Sequence, residues 1–234
     1  MDTLSLPESH EPELPEKAET GIDRKWWVLV AVGVGTFMTA LDTSVVNTIL
    51  PVVNKSFGSA GNVAAIEWVV IVYLLVLSGL LLSFGRLGDL RGHRPVYLAG
   101  FFVFVGSSVL CGLAPTPLFL VSLRAVQALG AAMLSANSPA ILTKSFPAGQ
   151  RGRALGLQAT MTYLGLTVGP TLGGWLADQY SWRAVFFINL PVGVIALALS
   201  LWAVPHDSFA HLTERFDWVG ALLFSAGLVT LLLG

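Results

Sequence analysis

Gly85-Arg-Leu-Gly-Asp89-Leu-Arg91-Gly92-His-Arg94-Pro-Val96 lies between two apolar runs. Five of its residues return at a constant offset in Gly174-Trp-Leu-Ala-Asp178-Gln-Tyr-Ser-Trp-Arg183-Ala-Val185. Three apolar runs separate the two copies. If each run crosses a membrane, the copies fall on opposite faces, which is the signature of an inverted repeat of three helices.

The surrounding sequence supports the crossings. Hydrophobic residues are 54% of the chain and charged residues 12%, about half the charge of a soluble domain. A membrane helix needs roughly 20 mostly apolar residues. Six runs qualify: Trp26–Leu50, Glu67–Phe84, Val96–Leu113, Leu118–Leu142, Leu155–Ala177 and Ala184–Val204. Short polar connections join them. An acidic tail at 1–25 without an apolar core reads as a solvated, disordered segment and not a secretory signal. Residues 205–216 read as a polar connection, and 217–234 as the start of a seventh span.

Lys and Arg set the orientation. With the N-terminus inside, the inner segments hold Lys17, Arg24, Lys25, Arg86, Arg91, Arg94, Lys144, Arg151, Arg153 and Arg215. The outer ones hold only Lys55 and Arg183, so the N-terminus is expected in the cytoplasm. Trp26, Trp27, Trp68, Trp175, Trp182, Trp202 and Trp218 fall near span ends, where indoles settle at headgroup level.

Asp42 and Arg124 stand inside apolar spans. Each costs at least about 2.5–3.5 kcal/mol at the bilayer centre. Two readings account for that cost: an ion pair tying helices together, or a proton or substrate site facing a cavity. Gln127 follows Arg124 by three residues and shares its helix face. Burial and a neighbouring cation act in opposite senses on a carboxyl's hold on its proton, so competition between an Asp and an Arg is one way to couple protons to a solute. In the fifth span Gly165, Gly169 and Gly173 recur every four residues, with Pro170 beside the middle one and Gly174 after the last. Small residues at that spacing allow close helix approach, and proline removes one backbone hydrogen bond.

The single cysteine, Cys111, reads as a small apolar packing residue. His10, His93, His206 and His211 all fall in the tail or in connections, so no histidine is expected beside a nucleophile or a metal at membrane depth. Together with the lack of a Walker-type phosphate loop, this argues against an enzyme and against a metal or organic cofactor. The scattered basic residues offer no nucleic-acid surface.

Gly85-x-Leu87-x-Asp89-x-x-Gly92-x-Arg94 resembles the signature loop of the major facilitator superfamily. Leu90 and His93 depart from it, since the family pattern favours basic residues there. Leu41-Asp42-Thr-Ser-Val-Val46-Asn47-Thr-Ile-Leu50-Pro51 is similar to the first-span signature of the fourteen-span drug:proton antiporter branch. Arg124-Ala-Val-Gln127-Ala-Leu-Gly130 resembles that branch's fourth-span motif, and Gly165 to Gly174 resembles its antiporter motif. Trp182-Arg183-x-x-Phe186-Phe-Ile-Asn189-x-Pro191 and Phe216-Asp217-Trp218-x-Gly220 recur there too.

The resemblance implies an all-α transmembrane fold, the six-helix N-terminal bundle of the major facilitator fold with the start of a seventh helix. It implies alternating-access export of small amphipathic or cationic compounds, driven by a proton gradient, from the plasma membrane of a bacterium. Asp42, Arg124 and Gln127 would serve the proton and substrate path. Gly85, Asp89, Arg91, Gly92 and Arg94 would gate the cytoplasmic side. Gly165, Gly169, Pro170, Gly173 and Gly174 would form the moving helix. The family has twelve or fourteen spans, so a C-terminal half is expected as a continuation of the same chain. Uptake or uniport by the same fold, or a non-transporting assembly partner, are the competing readings.

Overall fold

The computed structural model describes residues 23–58 and 63–206, together with Gly220, Leu223, Gly227 and Thr230. The acidic tail expected up to residue 25 lies outside the described residues except for its last three. Most of the 205–216 connection and of the seventh span also lies outside them. Among the described residues every regular element is helical: α1 (Arg24–Phe57), α2 (Val63–Arg91), α3 (His93–Gly112), α4 (Pro117–Ser145), α5 (Arg151–Gln179), α6 (Ala184–Phe187) and α7 (Asn189–Ala203).

The local chemistry sets where the helices begin and end. Thr116 caps α4 by accepting a hydrogen bond from the Phe119 amide, with Pro117 pre-set at the first helical position. Gly58 ends α1 at φ +57°, and Gly92 separates α2 from α3 at φ +93°, backbone that favours glycine. The signature segment expected as a loop is therefore the last two turns of α2, one glycine and the first turn of α3. His93, expected in a connection, is the first residue of α3 and is buried.

The sixth expected span is two helices, with a turn at Ile188. Pro191 has no amide proton to give the carbonyl of Phe187, so the helical ladder opens one turn upstream of it. Five units are long and apolar enough to cross a membrane: α1, Ile66–Arg91 of α2, α3, α4 and Ala184–Ala203. The expected fifth span is present as the 29-residue α5, but it falls short of the composition of the other five. Gly165, Gly169 and Gly173 face α1, and Gln158 and Thr162 line a cavity.

Helix α1 packs chiefly on α5 and α7, whereas α4 packs on α2 and α3. Exchanging α1, α2 and α3 for α4, α5 and α7 turns one set of pairs into the other. The two sequence copies show this exchange at atomic detail. Arg94, at the start of α3, donates through Nη2 to the Leu201 carbonyl near the end of α7, at 2.9 Å. Arg183, just before α6, donates through Nη2 to the Ala114 carbonyl just past α3, at 3.0 Å. Each repeat's arginine thus satisfies a carbonyl left over at the other repeat's helix end. Arg24 adds bonds to the carbonyls of Trp202 and Ala203.

The apolar core has two parts. One contains Val28, Tyr97, Phe101 and Leu142, near the end that holds Arg24, Gly92 and Lys144. The other contains Val46, Val53, Cys111 and Phe186, toward the opposite end. Aromatic pairs mark both ends: Trp26 on Phe146 and Trp27 on Trp202 at the basic end, Trp182 on Phe57 and Phe186 at the other. Phe102, Leu110, Val194 and Ile195 are exposed on α3 and α7, a surface suited to acyl chains rather than water.

Candidate ion-pair site and adjoining cavity

Where the two apolar parts meet, a closed polar group interrupts them. Asp42 of α1 and Arg124 of α4 form an ion pair, Nη1 to Oδ2 at 2.6 Å. The same Nη1 reaches Gln127 Oε1 at 2.8 Å, and Gln127 Nε2 donates to Asp42 Oδ1 at 3.1 Å. The three residues singled out for the proton path therefore form one ring of bonds. Asn189, at the helix break, donates through Nδ2 to Asp42 Oδ1 at 2.8 Å and to Ser108 Oγ at 2.9 Å. Ser108 Oγ donates a hydrogen bond to the Phe186 carbonyl at 2.9 Å. Arg124 Nε donates to the Val69 carbonyl, and its guanidinium carbon sits 4.1 Å from the centre of the Tyr73 ring. Cys111 joins through a weak bond from Sγ to Gln127 Oε1.

Asp42, Arg124, Gln127, Asn189 and Tyr73 are each at most 2% exposed. A carboxylate and a guanidinium so enclosed are held by mutual attraction and hydrogen bonds rather than by water. Neither charge lines the adjoining cavity; the pair ties α1 to α4, with the Val69 carbonyl of α2 and Asn189 of α7 as further partners.

The cavity lies next door. About 340 Å³ opens between α1, α2, α4 and α5, lined by Thr36, Thr39, Thr43, Ser135, Ser138, Gln158 and Thr162 with Ala40, Leu77, Leu134 and Leu166. Tyr73 also lines it. The phenol ring is thus a partition, with the cavity on one side and Arg124 on the other.

The glycine stripe of α5 meets α1. A Cβ on Gly165 would stand 2.7 Å from the Phe37 carbonyl oxygen. On Gly169 it would stand 2.6 Å from Ser44 Oγ, and on Gly173 2.7 Å from Val45 Cγ1. Ser44 Oγ fixes the contact by donating to the Leu166 carbonyl at 2.8 Å. Gly174, grouped with them from sequence, faces open space, and α5 runs unbroken through Pro170.

At the basic end, Asp89 is about half exposed and lies 3.5 Å from His93 Nε2. His93 Nδ1 contacts Asn137 Oδ1 at 2.8 Å, and Asn137 donates to the Phe84 and Met133 carbonyls. His93, a departure from the family pattern, thus links the α2–α3 turn to α4. Gly88 makes room for this: a Cβ there would collide with Asn137. Arg91 is exposed, Arg94 is spent on Leu201, and Gly85 has nothing close to its would-be Cβ. Tyr73, Ser108, Asn137 and Gly88 escaped the sequence reading. Asn137 and Ser108 carry a usable signal, being polar residues within apolar spans.

The model of the Major Facilitator Superfamily matches residues 32–233. The chain belongs to that superfamily. It is 36% identical over 210 residues to the riboflavin transporter RibZ of Clostridioides difficile, covering 90% of this chain and 46% of RibZ. It is 41% identical over 197 residues to the multidrug resistance protein Stp of Mycobacterium tuberculosis, covering 84% of this chain and 36% of Stp. The chain therefore spans less than half the length of these superfamily relatives. A solved D-xylose-proton symporter superposes with a TM-score of 0.65 at 18% identity, over 78% of this chain and 49% of the symporter. That likeness shows the fold of a multi-pass membrane protein.

Proposed function

We propose that this chain is the front half of a proton-coupled exporter of small amphipathic compounds. The observation that carries the reading is the enclosed Asp42–Arg124 pair. Two full charges kept away from both water and the cavity are costly in a membrane. They become useful if one of them changes charge during the cycle. Protonation of Asp42 would leave Arg124 without its counter-ion and loosen the tie between α1 and α4. Loss of the proton would restore it. A gradient of protons could thereby drive the helices between two arrangements without any cofactor.

The glycine stripe is the surface along which α5 would shift against α1. Asp89, at the turn linking α2 to α3, would latch the cytoplasmic gate, with Arg91 nearby; Arg94 and Gly92 would hold that turn in place. Export is favoured over import by the names of the relatives, among them multidrug resistance protein Stp and the cephamycin export protein CmcT. RibZ keeps transport of a single metabolite as the second reading. The membrane is read as the bacterial plasma membrane, with the N-terminus inside and a second half continuing the chain.

The test uses the longer protein in vesicles. Asp42→Asn should abolish accumulation of dye or drug driven by an imposed pH gradient, while the variant still inserts. Wild-type accumulation by Asp42→Asn, normalised to protein, refutes the proton role.

A further inference from the structure

The hydroxyl-lined cavity has a polarity that its residue types alone do not reveal. Thr39 Oγ1 donates to the Thr36 carbonyl at 2.9 Å, Thr43 Oγ1 to the Thr39 carbonyl at 3.0 Å, and Ser138 Oγ to the Leu134 carbonyl at 2.7 Å. Thr162 Oγ1 donates to the Gln158 carbonyl at 3.4 Å. Gln158 spends an amide proton on Thr36 Oγ1 at 3.3 Å. These hydroxyl protons are therefore committed to the helices that carry them. A hydroxyl has one proton and two lone pairs, so at Thr39, Thr43, Ser138 and Thr162 the lone pairs are what remains for a solute. No charged side chain lines the cavity among the described residues. Asp42 and Arg124 stand behind Tyr73, satisfied by each other.

We infer that this cavity takes an uncharged solute that presents hydrogen-bond donors, hydroxyl or amide N–H groups, beside an apolar ring. The inference rests on the transport reading above and adds the substrate class. Donor groups meet waiting lone pairs, and the apolar part lies on Leu77, Leu134 and Leu166. At those four residues an acceptor-only solute would face lone pair against lone pair and lose the hydrogen bonds it made to water. A permanent cation would find no counter-charge there, only the partial charges of hydroxyl oxygens, to offset the loss of its water.

The experiment uses full-length transporter in proteoliposomes with an imposed pH gradient and three probes. Chloramphenicol has two hydroxyls and an amide N–H. Its 1,3-diacetate keeps the ring but loses both hydroxyl donors. Ethidium is a lipophilic cation. Chloramphenicol should move at least about fivefold faster than the diacetate, since each lost bond is worth a severalfold factor. The double variant Thr39→Val/Thr43→Val, which swaps hydroxyl for methyl at constant shape, should bring the two rates together. Equal rates in the wild-type protein, or a preference that survives the double variant, overturn the inference. Movement of ethidium alone overturns it and leaves the export reading standing. If no probe moves and none shifts the protein's melting temperature, both readings fall.

Discussion

Cutting one side of the Asp42–Arg124 pair should cost far more than removing both. Asp42→Asn keeps the shape of the side chain and bonds to Gln127 and Asn189, but strips Arg124 of its counter-charge. Arg124 is 1% exposed, with only Gln127 Oε1, the Val69 carbonyl and the Tyr73 ring to replace it. Breaking a buried pair from one side typically costs about 3–5 kcal/mol. For a domain of this size, at about 2–4 °C per kcal/mol, that is a fall of about 6–20 °C in melting temperature. Arg124→Met should fall by a similar amount, because the carboxylate then keeps only two amide donors. Replacing a whole buried pair is often neutral or stabilising by about 1–4 kcal/mol. Asp42→Asn/Arg124→Met should therefore recover most of the loss while remaining unable to use a proton gradient.

The assay is thermal unfolding of the detergent-solubilised full-length protein, followed by loss of the monodisperse peak, for wild type, both single variants and the double. Additive losses, with the double variant the least stable of the four, would refute the reasoning. They would mean that each side chain is held by its neutral neighbours and that the pair carries no mutual dependence.

Neighbouring glycines should respond with opposite sign. Gly173→Ala meets Val45 and should lose about 1–3 kcal/mol from overpacking, whereas Gly174→Ala meets nothing within 4 Å and should gain up to about 1 kcal/mol in helix preference; melting temperatures of the two variants decide it. The longer change Gly169→Leu should push α5 off α1 and lower transport, and normal transport would sink the close-packing argument. Tyr73→Phe keeps a ring over Arg124 and should transport within about twofold of wild type, while Tyr73→Ala removes a stack worth about 2 kcal/mol and opens Arg124 to the cavity. Transport at several imposed pH gradients should show the alanine variant uncoupled, and unchanged coupling there would mean that the ring is no partition.

Helix order and the repeat were legible because the membrane imposes long apolar runs and leaves its punctuation in the connections, whereas the split of the sixth span into α6 and α7 was not. The glycine stripe was legible because spacing alone puts Gly165, Gly169 and Gly173 on one face. That Gly174 is excluded from it follows from the same spacing, since a residue adjacent in sequence lies about 100° around the helix. Pairing of Asp42 with Arg124 was not legible: it depends on the packing of α1 against α4, and no one-dimensional pattern carries that distance. Asn189 was visible as part of a motif, but its role needed the break that Pro191 makes one turn upstream. The cavity's polarity was invisible for a different reason. Threonine is written identically whether its proton faces a solute or its own helix.

The symmetric and asymmetric parts of the bundle divide the work. Arg94 and Arg183 occupy equivalent places in the two repeats and make equivalent bonds across the exchange, each at a helix end and each to a carbonyl. Such bonds hold a fold and would serve any member of it. The ion pair breaks the exchange. Helices α1 and α4 are counterparts, but at the offset that relates Gly85 to Gly174 the place of Asp42 is taken by Ala131 and that of Arg124 by Gly35. The pair has no mirror image in the other repeat, and it stands where neutral packing would have sufficed for stability. A costly departure from the rule that shapes its surroundings is where function is expected. Here it lies one tyrosine ring away from the cavity.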